Sequence, residues 1–130
     1  MRNPSISGLA AVVCAAALGF AANAVAQDAA GGDWVTPEQV ERGQSTYQQR
    51  CATCHGTDIV SIFKSFPSAG QFYGFISTTM PGDAPGSLTA QQYADIIAYL
   101  ATENGMPTGT EELPADEEVL ATIRPSEFAQ

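Results

Sequence analysis

The chain carries little positive charge and few side chains of the kinds that bind metals or act as nucleophiles. Its 130 residues include five Lys and Arg against 14 Asp and Glu, for a formal net charge of −9, with one His and three Cys. Such an acidic surface argues against binding to nucleic acids or anionic membranes, and favours either a basic surface on a partner or solubility alone. The sequence also offers no nucleophile–base pair, metal cluster or phosphate-binding loop, so we do not expect an enzyme.

Long apolar runs are lacking too, but the N-terminal segment has the pattern of an export signal. Arg2 precedes an apolar stretch over residues 9–22, and Ala24-Val25-Ala26 supplies the small residues that signal peptidase reads. We therefore predict a cleaved signal peptide at residues 1–26, a mature chain that begins near Gln27, and a location in the periplasm. The alternative is a retained membrane anchor, which the shortness of the apolar stretch and the cleavage pattern disfavour.

The scarcity of cysteine makes the role of this residue easier to interpret. Removal of the signal peptide takes Cys14 with it and leaves Cys51 and Cys54, which form the pattern C-x-x-C-H with His55. This spacing attaches a c-type haem, because the two thiols form thioethers with the porphyrin while the adjacent imidazole binds the iron. A short disulfide would leave His55 unexplained. A tetrahedral zinc site would need Cys or His ligands that the mature chain lacks.

Two helices are indicated by the residues at their ends. Thr36 to Gln39 and Thr89 to Gln92 both have the pattern of a capping box, in which the cap and the third helical residue satisfy each other's backbone N–H groups. Asn104-Gly105 offers a left-handed stop for the second helix. These signals predict helices over residues 37–50 and 90–103.

The predicted faces of these helices suit each other. On the first helix, one stripe leads into the haem attachment segment through Val40, Gly43, Tyr47 and Cys51. Glycine costs a helix interior up to about 1 kcal/mol relative to Ala, so Gly43 predicts a close crossing by another backbone. A tolerated glycine on a solvent face is the alternative. The second helix has an apolar face formed by Tyr93, Ile96, Ile97 and Leu100, with Tyr99 beside it.

The chain resembles the class I (mono-haem) cytochromes c. The resemblance covers residues 36–105 and rests on the helix with Gly43 and Tyr47, the C-x-x-C-H segment, the later Thr79-Met80-Pro81 and the C-terminal helix. It implies an all-α, compact class I cytochrome c fold in which the N- and C-terminal helices cross around one covalently bound haem c. The sequence of residues 75–100 is similar to that of small periplasmic cytochromes that serve quinoprotein alcohol dehydrogenases and related dehydrogenases.

The resemblance implies a methionine sulfur as the second axial ligand. Met80 lies between an apolar helical stretch and the last helix, whereas Met106 lies beyond the stop signal of that helix, so we assign Met80. Phe72 and Phe75, on the apolar stretch before Met80, are assigned to the surroundings of the haem.

The resemblance also implies a partner for the second ring nitrogen of His55. A ligating imidazole usually donates its other N–H to a carbonyl. In the family this acceptor is often a proline carbonyl in the following loop, and Pro67 lies 12 residues after His55. Pro67 could equally be a turn former before a helix at about residues 69–78.

One departure from the family is the interval between His55 and Met80, which is 25 residues and distinctly short. In class I cytochromes this stretch covers the propionate edge of the haem. We therefore expect an exposed haem edge, or one covered by a second subunit or by the tail. The alternative is that its apolar residues simply pack over the haem; they are Ile59, Val60, Ile62, Phe63 and Phe66.

Outside the cytochrome c domain at residues 36–105, we distinguish an N-terminal extension at 27–35 and an acidic C-terminal tail at 106–130. The tail contains Val119, Leu120 and Ile123, which fit a short amphipathic helix. We expect the tail to lie against the domain; a disordered or partner-docking extension is the alternative.

The function expected from this ligation is single-electron transfer. With His55 and Met80 both on the iron, no position remains open for a substrate, so the haem would cycle between Fe(III) and Fe(II). We expect electrons to come from a periplasmic dehydrogenase and to pass to an oxidase or another cytochrome of a respiratory chain, with a homodimer or hetero-complex possible. Two alternatives stay open. One is a permanent haem c subunit of a larger dehydrogenase complex, and the other is a haem protein whose Met80 is displaced by a small ligand.

Overall fold

The computed structural model describes residues 33–128, in which helices joined by loops form the fold and no β-strand occurs, apart from an isolated bridge between Trp34 and Glu111. The predicted signal peptide lies outside these residues. The α-helices are α1 (Pro37–Arg50), α2 (Ala52–His55), α3 (Asp58–Phe63), α4 (Ala69–Thr79), α5 (Ala90–Glu103) and α6 (Glu117–Thr122), followed by a 3-10 turn at Pro125–Glu127. None of the helices in this part of the chain is long and apolar enough to cross a membrane.

Both helices predicted from their capping signals are confirmed. Thr89 and Gln92 form the complete capping box of α5. The Gln92 N–H donates to Thr89 Oγ1 at 3.2 Å, and the Thr89 N–H donates to Gln92 Oε1 at 2.9 Å. Of the two hydrogen bonds of the capping box predicted for α1, one forms and the other does not. Thr36 Oγ1 accepts from the backbone N–H of Gln39 at 3.1 Å, but the Gln39 side chain does not turn back to the cap, because it is used elsewhere in the fold.

The first and last helices of the predicted domain cross at Gly43, as its position in α1 predicted. A Cβ atom placed on Gly43 would lie 2.6 Å from the carbonyl carbon of Asp95 and 3.0 Å from the Cβ of Tyr99, both on α5. Real Cβ atoms do not approach backbone so closely, so only glycine allows this crossing. The apolar face predicted for α5 is buried from Tyr93 to Leu100.

A buried polar cluster fixes the same crossing. Gln39 is fully buried, and its Nε2 donates to Asp95 Oδ1 at 3.1 Å and to the Leu113 carbonyl at 2.9 Å, while its Oε1 accepts from the Leu113 N–H at 2.7 Å. Arg42 donates to Asp95 Oδ2 at 3.0 Å and to Glu112 at 2.8 Å. These bonds to Asp95 and Glu112 hold the pKa of the Arg42 guanidinium above its usual range.

The end of α5 reverses the chain through the stop predicted at Asn104-Gly105. Gly105 has a φ of 97°, its N–H donates to the Thr102 carbonyl at 2.9 Å, and the Met106 N–H donates to the Ala101 carbonyl at 3.0 Å. This pair of bonds is the Schellman motif. The chain then returns to the residues before α1, where the Gly109 N–H donates to the Val35 carbonyl at 2.9 Å.

The rest of the tail packs against α4 through α6. Leu120 and Ile123 are fully buried, and the Ala69 N–H at the start of α4 donates to the Ile123 carbonyl at 2.9 Å. Gly70 permits the close approach, since a Cβ there would lie 2.9 Å from the Ala121 nitrogen. The acidic residues of this segment stay at the surface, and Asp116 caps α6 by accepting from two backbone N–H groups.

The residues of the short interval after His55 mostly face inwards. Phe63 is fully buried and Ile59 nearly so, while Val60 and Phe66 are partly buried and packed against the core. Ile62 is the exception, with 44% of its surface exposed. Of the apolar residues in this interval, only Ile62 is exposed, and Val60 and Phe66 are exposed in part.

Candidate functional site

A cavity of about 440 Å³ lies among α1, α2, α4 and α5 and brings the predicted haem ligands together. Cys51, Cys54, His55 and Met80 all line it. The rest of the lining is mainly apolar and includes Ile59, Phe72, Ile76, Leu88, Ile96 and Leu100. Apolar walls with a few convergent functional groups are typical of cofactor sites.

The local backbone places the C-x-x-C-H side chains on a single helical turn. The N–H groups of Cys54 and His55 both donate to the Cys51 carbonyl, at 3.1 Å and 3.0 Å, which forms α2. Gly56, with a φ of 55°, then turns the chain away. No disulfide joins Cys51 and Cys54, and burial raises the pKa of the Cys51 thiol.

A tyrosine of α1 holds the end of this turn. Tyr47 is 3% exposed, its ring packs against Tyr99 at a centroid distance of 5.6 Å, and its hydroxyl donates to the Gly56 carbonyl at 2.7 Å. Because Gly56 follows His55 directly, this bond fixes the backbone next to the imidazole. Burial raises the pKa of Tyr47 to about 12, so the hydroxyl remains a donor through the neutral range.

Met80 is fixed at its backbone on both sides. Its N–H donates to the Ile76 carbonyl at 3.0 Å, at the end of α4. Its carbonyl accepts from the Tyr93 hydroxyl at 2.6 Å and from the Gly86 N–H at 3.1 Å. Met106, the other candidate, is 3% exposed and packs in the core beyond α5, outside the cavity lining.

Phe72 forms part of the apolar wall and is held in place by two other rings. It is 1% exposed, with Phe63 and Phe66 packed edge-on against it at 5.1 Å and 5.0 Å between centroids. Two thiols, an imidazole and a thioether around an apolar cavity are the donor set that a c-type haem uses. The described residues therefore fit this cofactor, with Cys51 and Cys54 as the attachment points.

Two of the predicted site residues lie outside the cavity lining. Pro67 is exposed, and its carbonyl accepts from Arg124 at 3.3 Å, so this placement gives no support to its predicted bond with His55. Phe75 is 46% exposed and contacts Phe66, with 5.8 Å between their ring centroids. Neither residue is included in the site proposed below.

One family model matches part of the chain. Residues 38–100 match the family model described as cytochrome c oxidase, cbb3-type, subunit III, which covers 63 of the 130 residues. No curated protein and no solved structure matches the chain. This match and the helical fold of residues 33–128 fit a class I cytochrome c fold, and they support a haem c domain. The predicted link to the small periplasmic cytochromes of dehydrogenases finds no counterpart in the match.

Proposed function

We propose that this chain, with its class I cytochrome c fold, is a periplasmic single-electron carrier with one haem c. Cys51 and Cys54 would hold the porphyrin covalently, and His55 and Met80 would bind its iron. The observation that carries the proposal is that the two thiols, the imidazole and the Met80 thioether line one apolar cavity.

The haem, when bound, supplies the exchange of one electron between Fe(III) and Fe(II). The chain's own residues would hold the group and limit its contact with solvent and substrates. Ile76, Leu88 and Ile96 line the cavity with apolar surface, and His55 and Met80 would leave no position on the iron for a substrate. Burial and a thioether ligand favour the ferrous state and raise the reduction potential, whereas the acidic net charge favours the ferric state and lowers it.

The ligand assignment is tested with two methionine variants of the same size. Met80→Leu is expected to abolish the weak near-infrared absorption band of a sulfur-to-ferric-iron bond. Met106→Leu is the matched control, since it changes a buried methionine outside the cavity and conserves volume. Survival of the band in Met80→Leu, or its loss in Met106→Leu alone, would show that the assignment is wrong.

The net charge indicates the kind of partner. Loss of Arg2 with the signal peptide changes the formal charge from −9 to −10. A carrier of this charge meets a partner with a basic surface fastest, in a brief complex of small area. The rate of reduction by such a donor is expected to fall as salt is raised, whereas an unchanged rate would exclude electrostatic steering.

A second candidate is a permanent haem c subunit of a larger dehydrogenase or oxidase complex. The description of the matched family as an oxidase subunit favours it. A tagged chain isolated gently from its native cells distinguishes the two functions. A carrier elutes alone at the size of the mature chain, whereas a subunit elutes with stoichiometric partner chains.

A further inference from the structure

We infer that Tyr93 is a positioning residue that holds Met80 in place for the iron through the hydrogen bond to the Met80 carbonyl. The inference rests on the proposed function, in which Met80 is the second axial ligand. It concerns how firmly that ligand is held, which the ligand set alone does not determine.

Tyr93 is a rigid support for this bond. It lies on α5, lines the cavity and is 3% exposed, and its hydroxyl donates to the Met80 carbonyl at 2.6 Å. Tyr73 packs edge-on against its ring, with 6.3 Å between centroids and 84° between planes. The helix itself is anchored at the Gly43 crossing, so the hydroxyl has little freedom to move away.

The other backbone bonds of Met80 are local. Its N–H is held by Ile76 in the last turn of α4, and its carbonyl also accepts from Gly86 in the loop that follows. Both partners lie within six residues of Met80, so these bonds hold it only to its own segment of the chain. The Tyr93 hydroxyl ties the Met80 backbone to α5, which forms another wall of the cavity.

Loss of this bond therefore shifts the balance between bound and displaced Met80. The net contribution of a buried hydrogen bond corresponds to a factor of roughly 5 to 10 in an equilibrium constant. Displacement of Met80 would free a position on the iron for a small exogenous ligand. The apparent affinity for that ligand scales with the displaced fraction, so it rises by the same factor.

The test compares Tyr93→Phe with Tyr73→Phe. Each removes one hydroxyl and keeps the ring, and Tyr73 makes no hydrogen bond to Met80. We expect Tyr93→Phe to fold, because the Met80 carbonyl still accepts a hydrogen bond from the Gly86 N–H. Carbon monoxide binding to the reduced holoprotein is titrated by absorbance for both variants and for the wild type.

Tyr93→Phe is expected to bind carbon monoxide roughly 5 to 10 times more tightly than the wild type, and Tyr73→Phe to stay within about twofold. Equal affinities of Tyr93→Phe and wild type, in proteins that both show the near-infrared band, would overturn the inference and leave the ligation intact. An equal rise in Tyr73→Phe would also overturn it, since general loosening would then be the cause. A wild type without the band would overturn the ligation and the inference together.

Discussion

Replacement of Gly43 by alanine tests the helix crossing on which the site depends. A Cβ at this position would lie 2.6 Å from the carbonyl carbon of Asp95 and 3.0 Å from the Cβ of Tyr99. The Asp95 carbonyl oxygen would lie closer still. Ordinary contact begins at 3.4 Å, so the carbonyl carbon alone requires α1 and α5 to move apart by at least about 0.8 Å. The atoms that the added Cβ meets first belong to the backbone of Asp95, which cannot move aside by changing a side-chain rotamer.

The magnitude follows from two opposed effects. A gap of 0.5 to 1 Å removes about a quarter to a half of the dispersion energy at each contact along the interface. With the strain of overpacking, the cost lies near the upper end of the usual range, about 3 kcal/mol. Alanine regains about 1 kcal/mol through its higher helix propensity. Gly43→Ala is therefore expected to lower the free energy of unfolding by at least about 2 kcal/mol.

The assay is guanidinium unfolding followed by circular dichroism at 222 nm, with the same substitution at two other helical glycines. At Gly74 a Cβ meets nothing closer than 3.7 Å, so Gly74→Ala is expected to stabilise the protein by about 0.5 to 1 kcal/mol. At Gly70 the nearest atom is 2.9 Å away, so an intermediate loss is expected. If Gly43→Ala stabilised the protein as Gly74→Ala does, the close crossing would be refuted.

Two further predictions concern the groups that flank this crossing. Burial raises the pKa of Tyr47 to about 12 from about 10 in an unfolded chain, so the stability it contributes is complete below pH 10 and is lost as the pH rises through 12. Carbon-13 NMR of labelled tyrosine should show this late titration, and stability should fall less steeply from pH 10 to 12 in Tyr47→Phe; a Tyr47 that titrates near pH 10 would contradict the prediction. Gln39→Ala leaves groups of Asp95 and Leu113 without their buried partner and is expected to cost about 2 to 3 kcal/mol in the same unfolding assay, whereas exposed Gln48→Ala should cost under about 0.5 kcal/mol. Equal losses in the two glutamine variants would show that the buried cluster contributes nothing.

The parts of the fold that the sequence predicted well depend on neighbouring residues. Both ends of α5 are determined locally, by the Thr89–Gln92 box and by the Schellman stop at Gly105. The start of α1 has the same local pattern, yet the Gln39 side chain bonds Leu113, which lies 74 residues away. A long-range partner competes with the local one, and no local pattern reveals it.

The candidate site divides in the same way. Cys51, Cys54 and His55 are adjacent in the sequence, so one helical turn brings them together and the pattern suffices to find them. The Tyr93 hydroxyl donates to the Met80 carbonyl across the fold, and neither the residue types nor their spacing predicts that contact. The sequence identified Tyr93 only as one member of the apolar face of α5.

The assignment of Phe75 to the haem surroundings shows the limit of apolar content as a signal. Phe72 and Ile76 are four residues apart and share the face of α4 that lines the cavity. Phe75 precedes Ile76 by one residue, which turns it by about 100° around the helix axis and towards the surface. Helical phase therefore separates it from its neighbours, although all three are apolar.

The crossing of α1 and α5 also sets the order in which the site becomes available during synthesis of the chain. The two thiols and His55 are complete early, whereas Tyr93, Ile96 and Leu100 follow about 40 residues later. Bringing the two helices together closes a loop whose entropic cost is about 3 kcal/mol and rises only with the logarithm of its length. Until α5 has emerged, the attachment segment exists without its enclosing wall. The Cys51 thiol, which is half-buried in the finished fold, is then more open to chemistry, whereas the Cys54 thiol is exposed in the finished fold as well.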